Sequence, residues 1–221
     1  MIEIKNLTKD FGIPPVHILK GINAVIQEGE MLTITGRSGS GKSTLLYIIS
    51  TLDRPTEGEV LIDGVNTKNL TSVELHQFRN EKMGFVFQFH HLLPELSALE
   101  NVLMPTRKSR REVELKQRGI ELLSAFGMEK KIDSFPGQLS GGEQQRVAIS
   151  RALIMQPKFL FADEPTGNLD SINGHAVLEY FQRIHRESGT TVIYVTHDPI
   201  FAKMAKREIV LVDGQIKLDS A

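Results

Sequence analysis

The segment Gly36-Arg37-Ser38-Gly39-Ser40-Gly41-Lys42-Ser43 limits what this chain can fold into more than any other. It follows the short apolar run Met31–Thr35 and leads directly into a second apolar run, residues 44–50. The first run reads as a buried strand and the second as a helix that continues out of the glycine loop. Strand, G-x-x-x-x-G-K-S loop and helix together make a phosphate-binding unit. Its glycines let the backbone wrap closely, so that successive N–H groups face phosphate oxygens. The helix N-terminus adds a favourable dipole for negative charge. Lys42 has the reach for β- and γ-phosphates, the Ser43 hydroxyl suits Mg2+, and Thr44 opens the helix beside them.

A second apolar strand, residues 159–162, ends in Asp163-Glu164. A carboxylate at such a strand tip, near a phosphate loop, can hold Mg2+ through its water shell, and Asp163 is read in that role. Side chains alternate along a strand, so Glu164 is free for a different task. It is assigned as the general base that orients and deprotonates an attacking water. Residues 139–143, Leu-Ser-Gly-Gly-Glu, precede a helical run over 143–153. Ser140, Gly141, Gly142 and Glu143 would bring a hydroxyl, backbone N–H groups and a helix dipole to one place, a second anion site.

The remaining pattern is that of an α/β protein with a mainly parallel sheet. Short β-like runs at 2–4 and 24–26 precede Met31–Thr35 and suggest a small N-terminal antiparallel region. Further strands are expected at 58–62, 83–87 and 191–196. A helix over 173–187 sits between the strands at 159 and 191 and makes a βαβ unit. From about 99 to 155 the chain reads as helical. Within it, residues 112–126 place Val113, Ile120, Leu122, Leu123 and Phe126 mostly on one face, predicted to be buried. The basic run 106–111 is expected to be a solvated loop or helix start. A hairpin is expected around Asp213-Gly214.

Composition excludes other classes. With 26 basic and 27 acidic residues among 221, the formal net charge of −1 draws the chain to neither nucleic acid nor anionic lipid. No cysteine is present, so disulfides and thiolate metal sites are excluded. The first residues read as strand and turn, not as a signal peptide. No apolar run approaches the roughly 20 residues that cross a bilayer, so work at a membrane would need a partner to hold the chain there.

Taken together, the glycine loop, the Asp163-Glu164 strand end and the Leu-Ser-Gly-Gly-Glu segment closely resemble the ATP-binding subunits of ABC transporters, over nearly the whole chain. The resemblance implies a P-loop NTPase core at about 1–88 and 156–221, carrying the antiparallel β subdomain, with a helical signature subdomain at about 89–155. It implies ATP and Mg2+ as ligands and hydrolysis of ATP to ADP and phosphate. Gln88 falls at the family's lid glutamine, which touches Mg2+ and water. Asp170, in Asn168-Leu169-Asp170, falls in the D-loop. His197 matches the switch histidine at the γ-phosphate, and Phe11 the adenine-stacking aromatic. The signature Ser140–Glu143 is implied to close over ATP held by a second copy, so that two ATPs lie between two chains. Integral membrane subunits are the other implied partners, received in a groove near residues 88–99.

Residues 87–102, Phe-Gln-Phe-His-His-Leu-Leu-Pro-Glu-Leu-Ser-Ala-Leu-Glu-Asn-Val, with Leu52-Asp53-Arg54-Pro55-Thr56, resemble the lipoprotein-releasing branch of the family. That implies a peripheral location on the cytoplasmic face of a bacterial inner membrane. Macrolide- or peptide-exporting ATPases share several of these features and stand as the alternative. Soluble ATPases of the superfamily acting in repair or translation are more distant, because this chain has one cassette and a short helical insert.

Overall fold

The computed structural model describes residues 1–167, 169 and 171–220, without the side chains of Ser171 and Ile172. The first strands are β1 (Ile2–Phe11), β2 (Val16–Ile26) and β3 (Met31–Thr35), after which comes α1 (Lys42–Ile49). Next come β4 (Glu57–Ile62), β5 (Val65–Asn66), α2 (Ser72–Lys82) and β6 (Met83–Val86). Three helices follow: α3 (Ala98–Leu103), α4 (Glu112–Ala125) and α5 (Gly141–Leu153). The chain closes with β7 (Phe159–Asp163), α6 (Ser171–Ser188), β8 (Thr191–Val195), α7 (Pro199–Ala202), β9 (Arg207–Val212) and β10 (Gln215–Ser220).

Among the described residues the strands form two sheets. One is antiparallel, in the order β2-β1-β4-β5; the other runs β10-β9-β3-β8-β7-β6. In the larger sheet only the β9–β10 pairing is antiparallel. Its central strands are buried on both faces, and alternate residues serve opposite layers. Leu160, Ala162, Val192 and Tyr194 pack with residues of α3, α4, α5 and α6. Phe159, Phe161, Ile193 and Val195 pack with α1 and the antiparallel sheet. A period of two along each strand therefore joins the helical layer to the β layer through one sheet.

The N-terminal strands are far longer than the runs at 2–4 and 24–26 suggest. Pairing of β1 with β2 shifts register between Ile4 and Leu7 and again further on. Asn6 sits at this irregularity with φ 47°. Such bulges break the alternation that a sequence reading follows, so the strand continues where its pattern stops. Helix α2 had no apolar periodicity to announce it. A capping box starts it: Thr71 Oγ1 accepts from Glu74 N, and Glu74 accepts back from Thr71 N.

The expectation that Val113 is buried is wrong: it is 91% exposed. The buried stripe of α4 is Leu115, Gly119, Leu122 and Leu123. Val113 lies two residues before Leu115, about 200° around the helix. The region 99–155 is also not continuously helical, since turns and the single 3-10 turn Pro136–Gln138 separate α4 from α5. The basic run 106–111 holds exposed turns beyond buried Thr106, as expected.

Strand β6 meets α5 through Gly84. A methyl group there would stand 2.3 Å from the Ala152 carbonyl oxygen and 3.0 Å from Pro157 Cγ. The nearer obstacle is backbone and the farther is a proline ring, which cannot rotate aside. Gly84→Ala is expected to cost about 1–3 kcal/mol, as overpacking does. The midpoint of urea unfolding reads this directly; an unchanged midpoint would mean that strand and helix separate freely.

Candidate functional site

Register brings the site together. Ile34 and Asp163 both pair with Val195, and Val86 pairs with Ala162, so β3, β8, β7 and β6 end nearly level. Open parallel sheets bind ligands outside these carboxyl ends. Four predicted elements leave the sheet along this edge: the glycine loop after β3, Gln88 after β6, Glu164 after β7 and His197 after β8.

The loop after β3 needs glycine at Gly36, whose φ is 142° and whose added Cβ would lie 2.2 Å from the Leu211 carbonyl oxygen. Gly41, at φ 98°, ends the loop as the N-cap of α1 and offers no side chain to the first helical N–H groups. No acidic residue occupies that first turn either. The positive end of α1 is thus left for an external anion. Lys42 is buried and donates to the Arg37 carbonyl at 3.1 Å. Ser40 Oγ is buried without a hydrogen-bond partner among the described residues. A cavity of about 500 Å³ opens here, lined by Ile18, Ser38, Gly39, Gly41, Lys42, Ser43, Thr44, Glu164 and His197.

Asp163 is outside that lining and 7% exposed. Its β7 is not the sheet neighbour of β3, because β8 runs between them. The two are joined through α1 instead. Ser43 Oγ donates to Asp163 Oδ1 at 2.9 Å, and Tyr47 Oη donates to Oδ2 at 2.7 Å. Burial, the bond to Asp163 and the charge of that carboxylate all push the Tyr47 phenol well above its ordinary range, so it stays a donor. Sequence reasoning missed Tyr47. The available signal was its spacing of four from Ser43, which puts both hydroxyls on one helix face.

Glu164 adopts φ 46° and its N–H donates to the Val195 carbonyl at 3.1 Å. His197 Nδ1 stands 3.2 Å from Glu164 Oε1, and its ring is 66% exposed. A methyl on Gly167 would meet Glu164 Oε2 at 3.4 Å and Gln88 Nε2 at 3.6 Å, so these two side chains converge over the Gly167 backbone. The chain after Gln88 is tied to α5: Arg151 donates to the carbonyls of His91 at 2.6 Å and His90 at 2.7 Å. Gln145, also on α5, donates to the Pro165 carbonyl at 2.8 Å.

The Leu-Ser-Gly-Gly-Glu segment starts α5 with a capping box. Ser140 Oγ accepts from Glu143 N at 3.3 Å, and Glu143 Oε2 accepts from Ser140 N at 2.7 Å. Those bonds, with nearby cations, hold the Glu143 carboxyl below its usual range. None of Ser140, Gly141, Gly142 and Glu143 lines the cavity that holds Lys42. Phe11 is also outside that lining; it ends β1, is 48% exposed and has Lys9 Nζ 4.7 Å from its ring centroid. Asn168 and Asp170 lie outside the described residues.

A separate groove of about 500 Å³ has apolar walls from Leu52, Phe85, Phe87, Met104 and Met155, with Arg79, Lys108 and Arg151 among its other lining residues. Of the run 88–99 only His91 lines it; the other lining residues come largely from α2, β6, α5 and the segment after α3. Among the described residues no helix is long and apolar enough to cross a membrane.

Comparison with known proteins agrees with this geometry. The family model described as "ABC transporter" matches residues 19–167. The chain is 48% identical over 215 residues to the lipoprotein-releasing system ATP-binding protein LolD of Leptospira interrogans, covering 97% of this chain and 90% of that one. It is 46% identical, over 99% of its own length and 96% of the other's, to an uncharacterized ABC transporter ATP-binding protein, YvrO, of Bacillus subtilis. A solved dimeric ATP-binding cassette, in a post-hydrolysis state bound to ADP and Pi, superposes with a TM-score of 0.93 at 44% identity, covering 99% of this chain and 97% of that one.

Proposed function

This chain belongs to the ABC transporter family, and from that premise we propose that it is the ATP-hydrolysing motor subunit of a lipoprotein-releasing transporter. One observation carries the ATPase reading. Lys42, Ser43, Glu164 and His197 line one cavity, while the second anion-binding helix start lies outside it.

In this reading Phe11 stacks on adenine beside Lys9. The backbone of Gly36, Arg37, Ser38, Gly39, Ser40 and Gly41 receives the phosphates, together with Lys42, Ser43 and Thr44. The orphaned Ser40 Oγ gains a partner when phosphate arrives. Glu164 draws the proton from the attacking water while His197 donates to the γ-phosphate, and Gln88 orients the water from the lid.

The residues present suit Mg2+. Ser43, Asp163 and Gln88 offer oxygen donors, and no cluster of three or more His, Cys, Asp or Glu capable of holding a metal occurs among the described residues. A cation bound by few side chains and completed by phosphates is what Mg2+ prefers. Bound there, Mg2+ would neutralise charge on the β- and γ-phosphates. A second copy supplies Ser140, Gly141, Gly142 and Glu143 to close the site. Closure of two copies would move membrane subunits seated in the groove at Met104, on the cytoplasmic face of a bacterial inner membrane.

Reconstitution tests the cargo. With the membrane subunits of a lipoprotein-releasing system in proteoliposomes, this chain should drive ATP-dependent release of an acylated lipoprotein. ATPase activity without release would favour the exporter alternative, which the similarity to the uncharacterized relative also permits. Met104→Glu should abolish co-purification with the membrane subunits and leave ATP affinity unchanged. An equal fall in both would move the docking surface elsewhere.

A further inference from the structure

We infer that Tyr47 is a positioning residue for the cation of the nucleotide site: it holds one carboxylate oxygen of Asp163 so that the other is presented to Ser43 and the metal. This rests on the ATP and Mg2+ reading given above. Ser43 and Tyr47 lie one turn apart on α1, and each donates to a different oxygen of the same carboxylate, at 2.9 and 2.7 Å. Asp163 ends a strand that β8 separates from the strand of the glycine loop. No sheet pairing therefore fixes its side chain relative to that loop.

The two hydroxyls do different things once a cation is bound. Ser43 Oγ would offer a lone pair to the metal while its proton stays on Asp163 Oδ1. Tyr47 would have no such double duty. Its ring is half-buried and its hydroxyl reaches Oδ2 from one turn further along α1 than Ser43. The Ser43 bond alone, at one oxygen, would leave the Asp163 carboxylate free to swing about its χ2 angle, a broad and soft torsion. The Tyr47 bond, at the other oxygen, fixes the carboxylate plane. Partners of this kind, which orient a ligand without touching the metal, commonly affect metal affinity about 10–100-fold.

The test uses the full chain carrying Glu164→Gln, with and without Tyr47→Phe. Phenylalanine keeps the ring and removes only the donor. Equilibrium binding of a fluorescent ATP analogue is titrated with Mg2+ and repeated in EDTA. The expected result is a rise of about tenfold in the Mg2+ concentration for half-maximal effect, with affinity in EDTA unchanged. Tyr47→Phe that leaves the Mg2+ midpoint unchanged overturns the assignment. So does an equal loss of affinity in Mg2+ and EDTA, which would mark Tyr47 as a packing residue. If the Tyr47-containing protein itself shows no Mg2+-dependent binding, the underlying nucleotide reading fails as well, and the two failures are told apart.

Discussion

Glu164→Gln should lower steady-state ATP turnover by roughly 10²–10⁴-fold, the usual worth of a positioned general base. The substitution keeps the size and hydrogen-bonding shape of the side chain and removes the proton acceptor. Glu164 is held by the strand end before it, by its own N–H on the Val195 carbonyl and by His197 at 3.2 Å, so the amide should sit where the carboxylate sat. ATP binding should survive, because Lys42, Ser43 and the loop N–H groups are untouched. With hydrolysis blocked, bound ATP keeps its γ-phosphate, and the closed pair of chains should accumulate. Analytical ultracentrifugation with saturating ATP and Mg2+ should show a dimer for Glu164→Gln and less of it with ADP. A variant that stays monomeric, or that turns over at the parent rate, would remove Glu164 from the role of base.

The second large effect separates a site completed by the same chain from one completed by its partner. Lys42→Ala should cost roughly 10²–10³-fold in turnover, as the loss of one donor aimed at developing phosphate charge does. Gly141→Asp should be as severe for a different reason. Residue 141 is open, with nothing within 4 Å of an added Cβ, and a carboxylate at the first turn of α5 favours the helix. The chain should fold normally. Against a phosphate about 4 Å away, however, the added charge is repelled by about 4 kcal/mol at an effective dielectric near 20. Mixing the two variants is decisive. In a mixed pair, the altered lysine and the altered signature meet in one composite site, and the other site is intact. Turnover should therefore reappear on mixing, although each variant alone is inactive. If each chain completed its own site, no intact site could form and mixing would restore nothing.

Much of the site was legible because its chemistry is local. Gly36 through Ser43 must be contiguous for N–H groups to surround one phosphate chain, and Ser140 through Glu143 are neighbours at one helix start. Tyr47 escaped notice because a hydroxyl in an apolar helix gains meaning only from what it faces. The misplacement of Val113 has a different origin: the helical period itself puts it about 200° from Leu115, opposite the buried stripe. The length of β1 and β2 was hidden by bulges, which interrupt the pattern without ending the pairing.

The sequence by itself determined the phosphate loop, the strand that carries Asp163 and Glu164, the signature helix and the order in which they occur. Those depend on neighbouring residues and on helical or strand periods. Only the tertiary structure decided that β8 lies between the loop strand and the acidic strand, and that α1 bridges the gap with two hydroxyls. Only it showed that the signature does not reach the cavity of its own chain. Strand order and distance across a sheet depend on which surfaces bury each other, and contacts more than a hundred residues apart leave no periodic trace along the chain.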